Sequence, residues 1–202
     1  MTAITLKTYQ QTALNTLTAF ARAAQTQGPA QAFGALVGRP YRADAFGPDV
    51  PCVCLRIPTG GGKTVMAAHA VPLLARAWCN VDAPVAVWLV PSDAIRQQTL
   101  KALQTPGHAY RAALTDAYGE GLQVCTLDDV AQIAPPDWGR HAVVVVAEGA
   151  GSRFCQATGA KDASGNAVLP DFASLLVKRI KGRFKEQGLP LSAHDLAQRS
   201  GE

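Results

Sequence analysis

The stretch Pro58-Thr59-Gly60-Gly61-Gly62-Lys63-Thr64 decides the fold of this chain. It lies between the apolar residues 52–57, which the pattern predicts to be a buried strand, and residues 64–78, which are predicted to be a helix. Three consecutive glycines allow several backbone N–H groups to turn toward one anion without side chains in the way. A strand, a glycine-rich turn and a helix in this order predict a phosphate-binding loop.

Each part of this loop has a chemical task. The start of the helix adds the positive end of its dipole, Lys63 can reach the outer phosphates, and the Thr64 hydroxyl can ligate Mg²⁺. Position 57 is Ile where the longer form of the motif has Gly, so Pro58 and Gly60 match a shorter form that begins with Ala or Pro. The alternative is a glycine-rich turn that precedes Lys-Thr by chance. The predicted phosphate site comprises Pro58, Thr59, Gly60, Gly61, Gly62, Lys63 and Thr64, with Lys63 and Thr64 as catalytic residues and Thr64 as the metal ligand.

Short apolar strands alternate with helices on both sides of the loop. Strands are predicted at 52–57, 85–90, 122–125 and 141–147, and helices at 8–24, 64–78 and 92–103. Thr8 and Gln11 match a capping box at the start of the first helix, and residues 26–51 are predicted to be mostly loop with a short helix near 32–36. Continuously apolar strands separated by helices are typical of a parallel sheet covered on both faces. The sequence therefore predicts an α/β fold.

Composition limits the other possibilities. A chain of 202 residues with 48% hydrophobic content can bury one good core, and a net charge of +4 is compatible with a polyanionic partner. The five cysteines are an odd number without Cys-x-x-Cys spacing, so the sequence indicates neither a disulfide framework nor a zinc site. No apolar stretch approaches the roughly 20 residues that span a bilayer. We expect a cytoplasmic protein without a membrane partner.

Three segments resemble the ATPase part of superfamily 2 DEAD/DEAH-type helicases, in particular the restriction-type helicase subunits. They are Leu6-Lys7-Thr8-Tyr9-Gln10-Gln11, the segment Arg56 to Thr64, and Val87-Trp88-Leu89-Val90-Pro91-Ser92 with the seven residues that follow. The resemblance implies a partial RecA-like P-loop NTPase domain, with a mainly parallel sheet flanked by helices and an irregular, partly helical C-terminal tail. It also implies ATP and Mg²⁺ as cofactors.

The resemblance assigns further roles. In that family the Tyr-Gln element reads adenine, which makes Gln10 the candidate because a Gln amide can meet the adenine edge with two hydrogen bonds. The alternative is an exposed Gln10 in the first helical turn, with Gln11 serving the cap. Pro91 and Ser92 correspond to a block that touches the nucleic-acid backbone, and the alternative is an ordinary turn with Ser92 as helix cap. Arg96 and Gln97 are further candidates.

One expected motif is missing. A working ATPase of this family needs an Asp-Glu pair at the end of a buried strand, and this chain has no such pair. In one interpretation Glu148, after the valine-rich strand, is the remnant of that motif. In the interpretation that we prefer from the sequence, that strand is an earlier one and the acidic motif would come later. We expect at most slow hydrolysis and no processive unwinding by this polypeptide alone. More activity would require a partner subunit or a C-terminal motor domain, and the sequence leaves both open.

The resemblance divides the chain into a helicase-type ATP-binding segment, 1–147, and a divergent tail, 148–202. The tail contains a basic run in a predicted helix, namely Lys178, Arg179, Lys181, Arg183 and Lys185, which would bind phosphates or form a solvated surface helix. The first hypothesis is the N-terminal part of a DNA helicase or restriction-type translocase that contacts the DNA backbone. The others are a non-catalytic, truncated or degenerate nucleotide-binding remnant and a small P-loop kinase.

Overall fold

The computed structural model describes residues 5–41, 49–126, 128–129, 133 and 140–148. Five α-helices occur in these ranges: α1 (Thr8–Gln27), α2 (Pro29–Val37), α3 (Lys63–Leu74), α4 (Asp93–Gln104) and α5 (Ala109–Tyr118). A π-helical turn, Ala75–Cys79, continues α3, and a short 3₁₀ turn, Gly119–Gly121, follows α5. The predicted tail 148–202, with its basic helix, lies outside the described residues except for Glu148.

Three strands form one parallel sheet. They are β1 (Val85–Val90), β2 (Leu122–Thr126) and β3 (Ala142–Glu148), in the order β1-β3-β2. The central strand β3 pairs Val143 with Val85 on one side and Val144 with Val124 on the other. Its valine-rich sequence suits this position, because a central parallel strand is apolar on both faces. The predicted α/β fold with a parallel sheet is confirmed.

The helices that pack on the sheet lie against one face within the described residues. The main core on this face contains fully buried Leu103 from α4 and Leu114 from α5, packed with Val144 and Val146 of β3 and Ala68 of α3. On the other face Val143 and Val145 pack with Cys125 and Ile133. There the β1 side chains are open to solvent: Val85 is 43%, Val87 36% and Leu89 39% exposed. The expectation of cover on both faces therefore does not hold for β1 in this part of the chain.

The predicted strand at 52–57 is wrong as a strand. These residues form no ladder and are not part of the described sheet. A strand needs a neighbour to take its backbone hydrogen bonds, and residues 52–57 pair with neither the outer edge of β1 nor that of β2. Val53 instead packs on the cluster formed by Phe20, Ala24 and Ala32 of the first two helices, while Leu55 is 40% exposed.

The start of α1 also differs from the prediction. The capping box is not Thr8 with Gln11. Its N-cap is Lys7, whose backbone N–H donates to Oε1 of Gln10 at 2.9 Å. The Gln11 amide points along the helix and donates to Oδ1 of Asn15 at 3.0 Å. The cap is therefore one residue earlier, and Gln10 takes the reciprocal role expected of the N3 side chain.

The orientation of α3 follows from its connection to β1. The residues at the end of this helix, Leu74 and Ala75, border the same apolar groove as Pro84 and Val85 at the start of the strand. The helix therefore runs antiparallel to β1, and Lys63 at its beginning lies toward the carboxyl edge of the sheet. None of the described helices is long and apolar enough to cross a membrane.

Candidate nucleotide site

The glycine-rich loop forms a turn that only glycine adopts without strain at two positions. Gly60 and Gly62 have φ of +78° and +77°, in the left-handed region. The N–H of Gly61 donates to the Pro58 carbonyl at 3.0 Å and closes the turn. A Cβ at Gly61 would meet Cγ2 of Ile57 at 2.6 Å, so the Ile57 side chain fills the space that a larger residue would need. Gly60 and Gly62 are thus required by their backbone conformation, and Gly61 by the lack of space for a Cβ.

The loop leads directly into α3. Gly62 is the N-cap of this helix and has no side chain that could satisfy the first-turn amides. Its carbonyl accepts from Met66 N–H at 3.0 Å, which is the first helical hydrogen bond. The amides of the first turn of a helix have no partner within the helix, and they carry the positive end of its dipole. An anion placed over Gly62 and Lys63 would therefore meet N–H donors without a competing side chain.

Helix α1 holds the loop from the side. The Gly61 carbonyl accepts from Oη of Tyr9 at 2.8 Å and from Nε2 of Gln10 at 3.0 Å. Gln10 is only 7% exposed, so the alternative of an exposed first-turn residue is wrong. A Gln amide has two donors and two acceptor lone pairs, and Gln10 uses one of each here. One donor and one acceptor remain for a ligand edge.

The Lys63 ammonium is exposed and rests on its own loop. It donates to the carbonyls of Ile57 and Pro58, each at 3.2 Å. Thr64, next along the helix, is half-buried in its first turn. These two hydrogen bonds hold the lysine side chain across the mouth of the loop. A phosphate entering there would compete with two neutral carbonyls, and its negative charge gives the ammonium a stronger partner than a neutral oxygen does.

The end of β1 places Pro91 and Ser92 at the carboxyl edge of the sheet. Ser92 is the N-cap of α4, and its hydroxyl accepts from Ile95 N–H at a long 3.5 Å. Behind it, the Asp93 carboxylate accepts from Nε of Arg96 at 2.8 Å and from Nε2 of Gln97 at 2.6 Å. The capping interpretation of Ser92 is confirmed. Arg96 and Gln97 are both engaged by Asp93.

The other two strands end at the same edge. After β2, Oδ2 of Asp129 accepts from the N–H of Thr126 at 2.9 Å and from its hydroxyl at 2.6 Å. These hydrogen bonds, helped by the charge of Arg96, lower the pKa of Asp129 below its ordinary value, so it is ionised at neutral pH. At the end of β3 the backbone of Glu148 pairs with Val90. An acidic residue therefore stands at the carboxyl end of each of the other two strands: Glu148 is the last residue of β3, and Asp129 comes shortly after β2.

The family model of the type III restriction enzyme res subunit matches residues 3–133, more than half of the chain. The chain belongs to this family. The matched part is an ATP-binding, helicase-like segment of the res-subunit type with a RecA-like P-loop fold, as the three quoted sequence segments indicated. The match contains the glycine loop, the Tyr9-Gln10 contact and the Pro91-Ser92 turn.

A second similarity is short. The chain is 54% identical over 50 residues to the ATP-dependent 6-phosphofructokinase 5, chloroplastic, of Arabidopsis thaliana. The aligned part is 25% of this chain and spans only 9% of that protein. No solved structure matches the chain.

The structure of this res-family segment brings together some of the predicted residues and keeps others apart. The loop, Lys63, Thr64 and Gln10 lie together, whereas Pro91 and Ser92 follow β1. Sequence reasoning missed the Tyr9 hydroxyl on Gly61, although the Tyr-Gln pair was part of the recognised element. It also missed Asp129 as a hydrogen-bonded carboxylate. Within the described residues no cluster of three or more His, Cys, Asp or Glu side chains forms a metal site.

Proposed function

We propose that this res-family chain binds ATP at residues 58–64, with Gln10 beside the base and Lys63 on the outer phosphates. The observation that supports this most is the set of hydrogen bonds from Tyr9 and Gln10 to the Gly61 carbonyl. The Gly61 N–H already donates to the Pro58 carbonyl, so the amides left for a phosphate are those at the start of α3. The half-used amide of Gln10 then lies next to the loop, where an adenine ring joined to the phosphates would sit.

The residues present fit magnesium held mainly by the nucleotide. Mg²⁺ in phosphate-transfer sites keeps several waters and uses few protein ligands. Thr64 can supply one hydroxyl oxygen from the first turn of α3, and the described residues contain no carboxylate cluster that would form a separate metal cage. Magnesium would offset the phosphate charge at the loop, while Lys63 and the helix terminus hold the phosphates in place.

We propose further that Pro91 and Ser92 contact the backbone of DNA. The N-terminus of α4 offers N–H donors at an exposed turn, and the Ser92 cap bond is long enough to be exchanged for a phosphate oxygen. Asp93 neutralises Arg96, so the attraction rests on the helix terminus. Residues 1–147 would form the ATP-binding unit and residues 148–202 a separate tail.

The hydrolytic step depends on Glu148. Its strand is the central one of the described sheet, and its backbone lies beside Val90 at the carboxyl edge. This position supports the interpretation of Glu148 as the remaining acid of a degenerate motif, over the interpretation that we preferred from the sequence. Ala147 stands where an Asp would hold magnesium through water. We therefore expect ATP binding with slow turnover.

The test measures Mg-ATP binding and turnover by the purified chain, with and without duplex DNA. Lys63→Ala is expected to weaken ATP binding by tenfold or more, since a charged hydrogen bond to phosphate contributes about 1.5–3 kcal/mol. The matched control is Lys101→Ala, an exposed lysine on α4. If ATP binds equally well to the Lys63→Ala and Lys101→Ala chains, the assignment of the loop is wrong.

A companion variant tests the acidic motif. Ala147→Asp restores the pair before Glu148 and is expected to raise turnover in the presence of DNA, while Ala147→Asn is not. Thermal melting checks that each variant folds, because Ala147 is buried. If DNA-stimulated turnover is already fast in the unaltered chain, the loss of the Asp does not limit it and the slow-turnover proposal fails.

A small-molecule kinase is the second candidate, because the short similarity is to an ATP-dependent 6-phosphofructokinase. It covers only a quarter of the chain, so it supports ATP use and little about the acceptor. ATP consumption that rises with small hydroxyl-bearing acceptors and ignores DNA would favour it. ATP binding without turnover under every condition would favour the non-catalytic remnant.

A further inference from the structure

A second concave surface lies away from the glycine loop. It is a groove of about 550 Å³ between α1, the end of α3 and α5, and we call it the arginine groove after Arg22 and Arg76, which both line it. The half-buried Leu6 and Leu73 supply apolar surface, and His69 and Asp116 add two polar groups. Small-molecule sites have volumes in this range and combine an apolar lining with a few polar groups.

The groove is separate from the nucleotide loop. One face of α1 borders it, with Gln11, Leu14, Thr18 and Arg22 at helical spacing, whereas Tyr9 and Gln10 of the same helix contact the loop. Arg76 follows Lys63 by thirteen residues, which corresponds to about 20 Å along a helix. A ligand on Arg76 would not touch the phosphates of a nucleotide on Lys63.

The helix is irregular where it forms the groove. At Ala75–Cys79 the hydrogen bonding changes to the π pattern, and Asn80, with φ of +53°, ends the turn by donating to the Ala75 carbonyl. The carbonyl of Trp78 accepts from Nε2 of Gln25 at 3.0 Å, which ties this turn to α1. Such π turns are rare and frequently occur at functional sites. This one places Arg76 and Ala77 in the groove lining.

The charges of the groove favour an anion. Arg22 and Arg76 are exposed. Among the residues that the structure describes, neither arginine takes part in a hydrogen bond or an ion pair. His69 lies near Asp116. Partial burial lowers the pKa of His69 and the Asp116 charge raises it, with burial the larger effect. His69 is therefore neutral at pH 7, and the two guanidinium groups outweigh the single carboxylate.

We propose that the arginine groove binds a small amphipathic anion. Its phosphate or carboxylate group would accept hydrogen bonds from Arg22 and Arg76, and its apolar body would cover Leu6 and Leu73. Guanidinium groups suit both head groups because they donate paired N–H bonds to two oxygens. This site is independent of the proposed nucleotide site.

The experiment uses 1-naphthyl phosphate, 1-naphthoate and the neutral 1-naphthylmethanol as probes, titrated calorimetrically at fixed ionic strength. The full chain carries Lys63→Ala, so that the glycine loop contributes little to phosphate binding. We expect at least one anion to bind and the neutral probe to bind much more weakly. Binding of the phosphate alone would narrow the head group to phosphate, and binding of both anions would show that charge and shape suffice.

Variants locate the binding. Arg22→Ala with Arg76→Ala is expected to weaken anion binding by tenfold or more, and Arg22→Lys with Arg76→Lys by less, because lysine keeps the charge and loses the fork. Arg39→Ala is the matched control, an exposed arginine outside the groove. Unchanged melting curves show that these exposed positions leave the fold intact. The proposal is overturned if no anion binds, or if the double alanine variant binds as well as Arg39→Ala.

Discussion

Gly60 and Gly62 offer a controlled test of how α1 supports the loop. Both residues have nearly the same left-handed φ, +78° and +77°, so alanine at either position carries a similar backbone strain of about 1–2 kcal/mol. They differ in their surroundings. A Cβ at Gly60 meets nothing within 4 Å, whereas a Cβ at Gly62 would come within 2.5 Å of Nε2 of Gln10.

The extra contact has a calculable consequence. Alanine at Gly62 must displace the Gln10 amide, which costs its hydrogen bond to the Gly61 carbonyl, a loss of about 1 kcal/mol. We therefore expect Gly62→Ala to lower the free energy of unfolding by about 2–3 kcal/mol and Gly60→Ala by about 1–2 kcal/mol. With a slope near 2 kcal/mol per molar urea, the difference of about 1 kcal/mol moves the midpoint by about 0.5 M.

A double-mutant cycle attributes the difference to Gln10. In a Gln10→Ala background the side chain that the new Cβ would strike is gone, so Gly60→Ala and Gly62→Ala should cost the same. Urea unfolding followed by circular dichroism measures all six chains. The reasoning is refuted if the two glycine variants are equally unstable with Gln10 present, or if their difference survives its removal.

Three further predictions follow from single contacts. Hydrogen bonds from Thr126 lower the pKa of Asp129 in the folded chain. The ionised carboxylate therefore stabilises the fold above the ordinary Asp pKa, and this stability is lost as the pH falls through the lower folded pKa. Asp129→Asn should therefore make the free energy of unfolding less dependent on pH below about pH 4. Burial raises the pKa of Tyr118 to about 12 and leaves its hydroxyl without a partner among the described residues, so Tyr118→Phe should keep or raise the thermal midpoint, and a clear fall would contradict this. Ser92→Ala should cost about 0.5–1 kcal/mol in urea unfolding, at the low end for a cap because its bond to Ile95 is 3.5 Å long, and Ser92→Asp should restore it.

The sequence predicted what depends on local pattern. The strand Val85–Val90 and the turn into the helix at Lys63 follow from apolar runs and glycine spacing, which act over a few residues. The failed strand at 52–57 is apolar enough for a strand, but a ladder requires a neighbour, and pairing is not encoded in the segment itself. The helix α5 was missed because Ala109–Tyr118 is short and mixes apolar with polar residues, although glycines flank it at 107 and 119.

The candidate site also divides into features of one local segment and features that depend on contacts between distant residues. Residues 58–64 could be assigned to phosphate because the chemistry is contained within one loop. The contacts of Tyr9 and Gln10 span about fifty residues of sequence, so their geometry required the folded chain. The position of Glu148 beside Val90 likewise comes from the register of β3 against β1. This register supports the interpretation of Glu148 as a remnant acid, while the interpretation preferred from the family pattern, a later acidic motif, stays a prediction.

Because residues 52–57 form no ladder, the contacts from α1 are important for holding the glycine loop. In a sheet with a paired strand before the loop, the ladder would fix the loop from behind. Here the described contacts come from the α3 helix that follows and from Tyr9 and Gln10 on the flank. Since Gln10 is also the capping side chain of α1, a nucleotide that uses its remaining donor and acceptor would act on the residue that holds the Lys7 cap. Nucleotide binding should therefore change amide exchange at the start of α1 as well as at the loop, and it is this coupling that makes α1 part of the site.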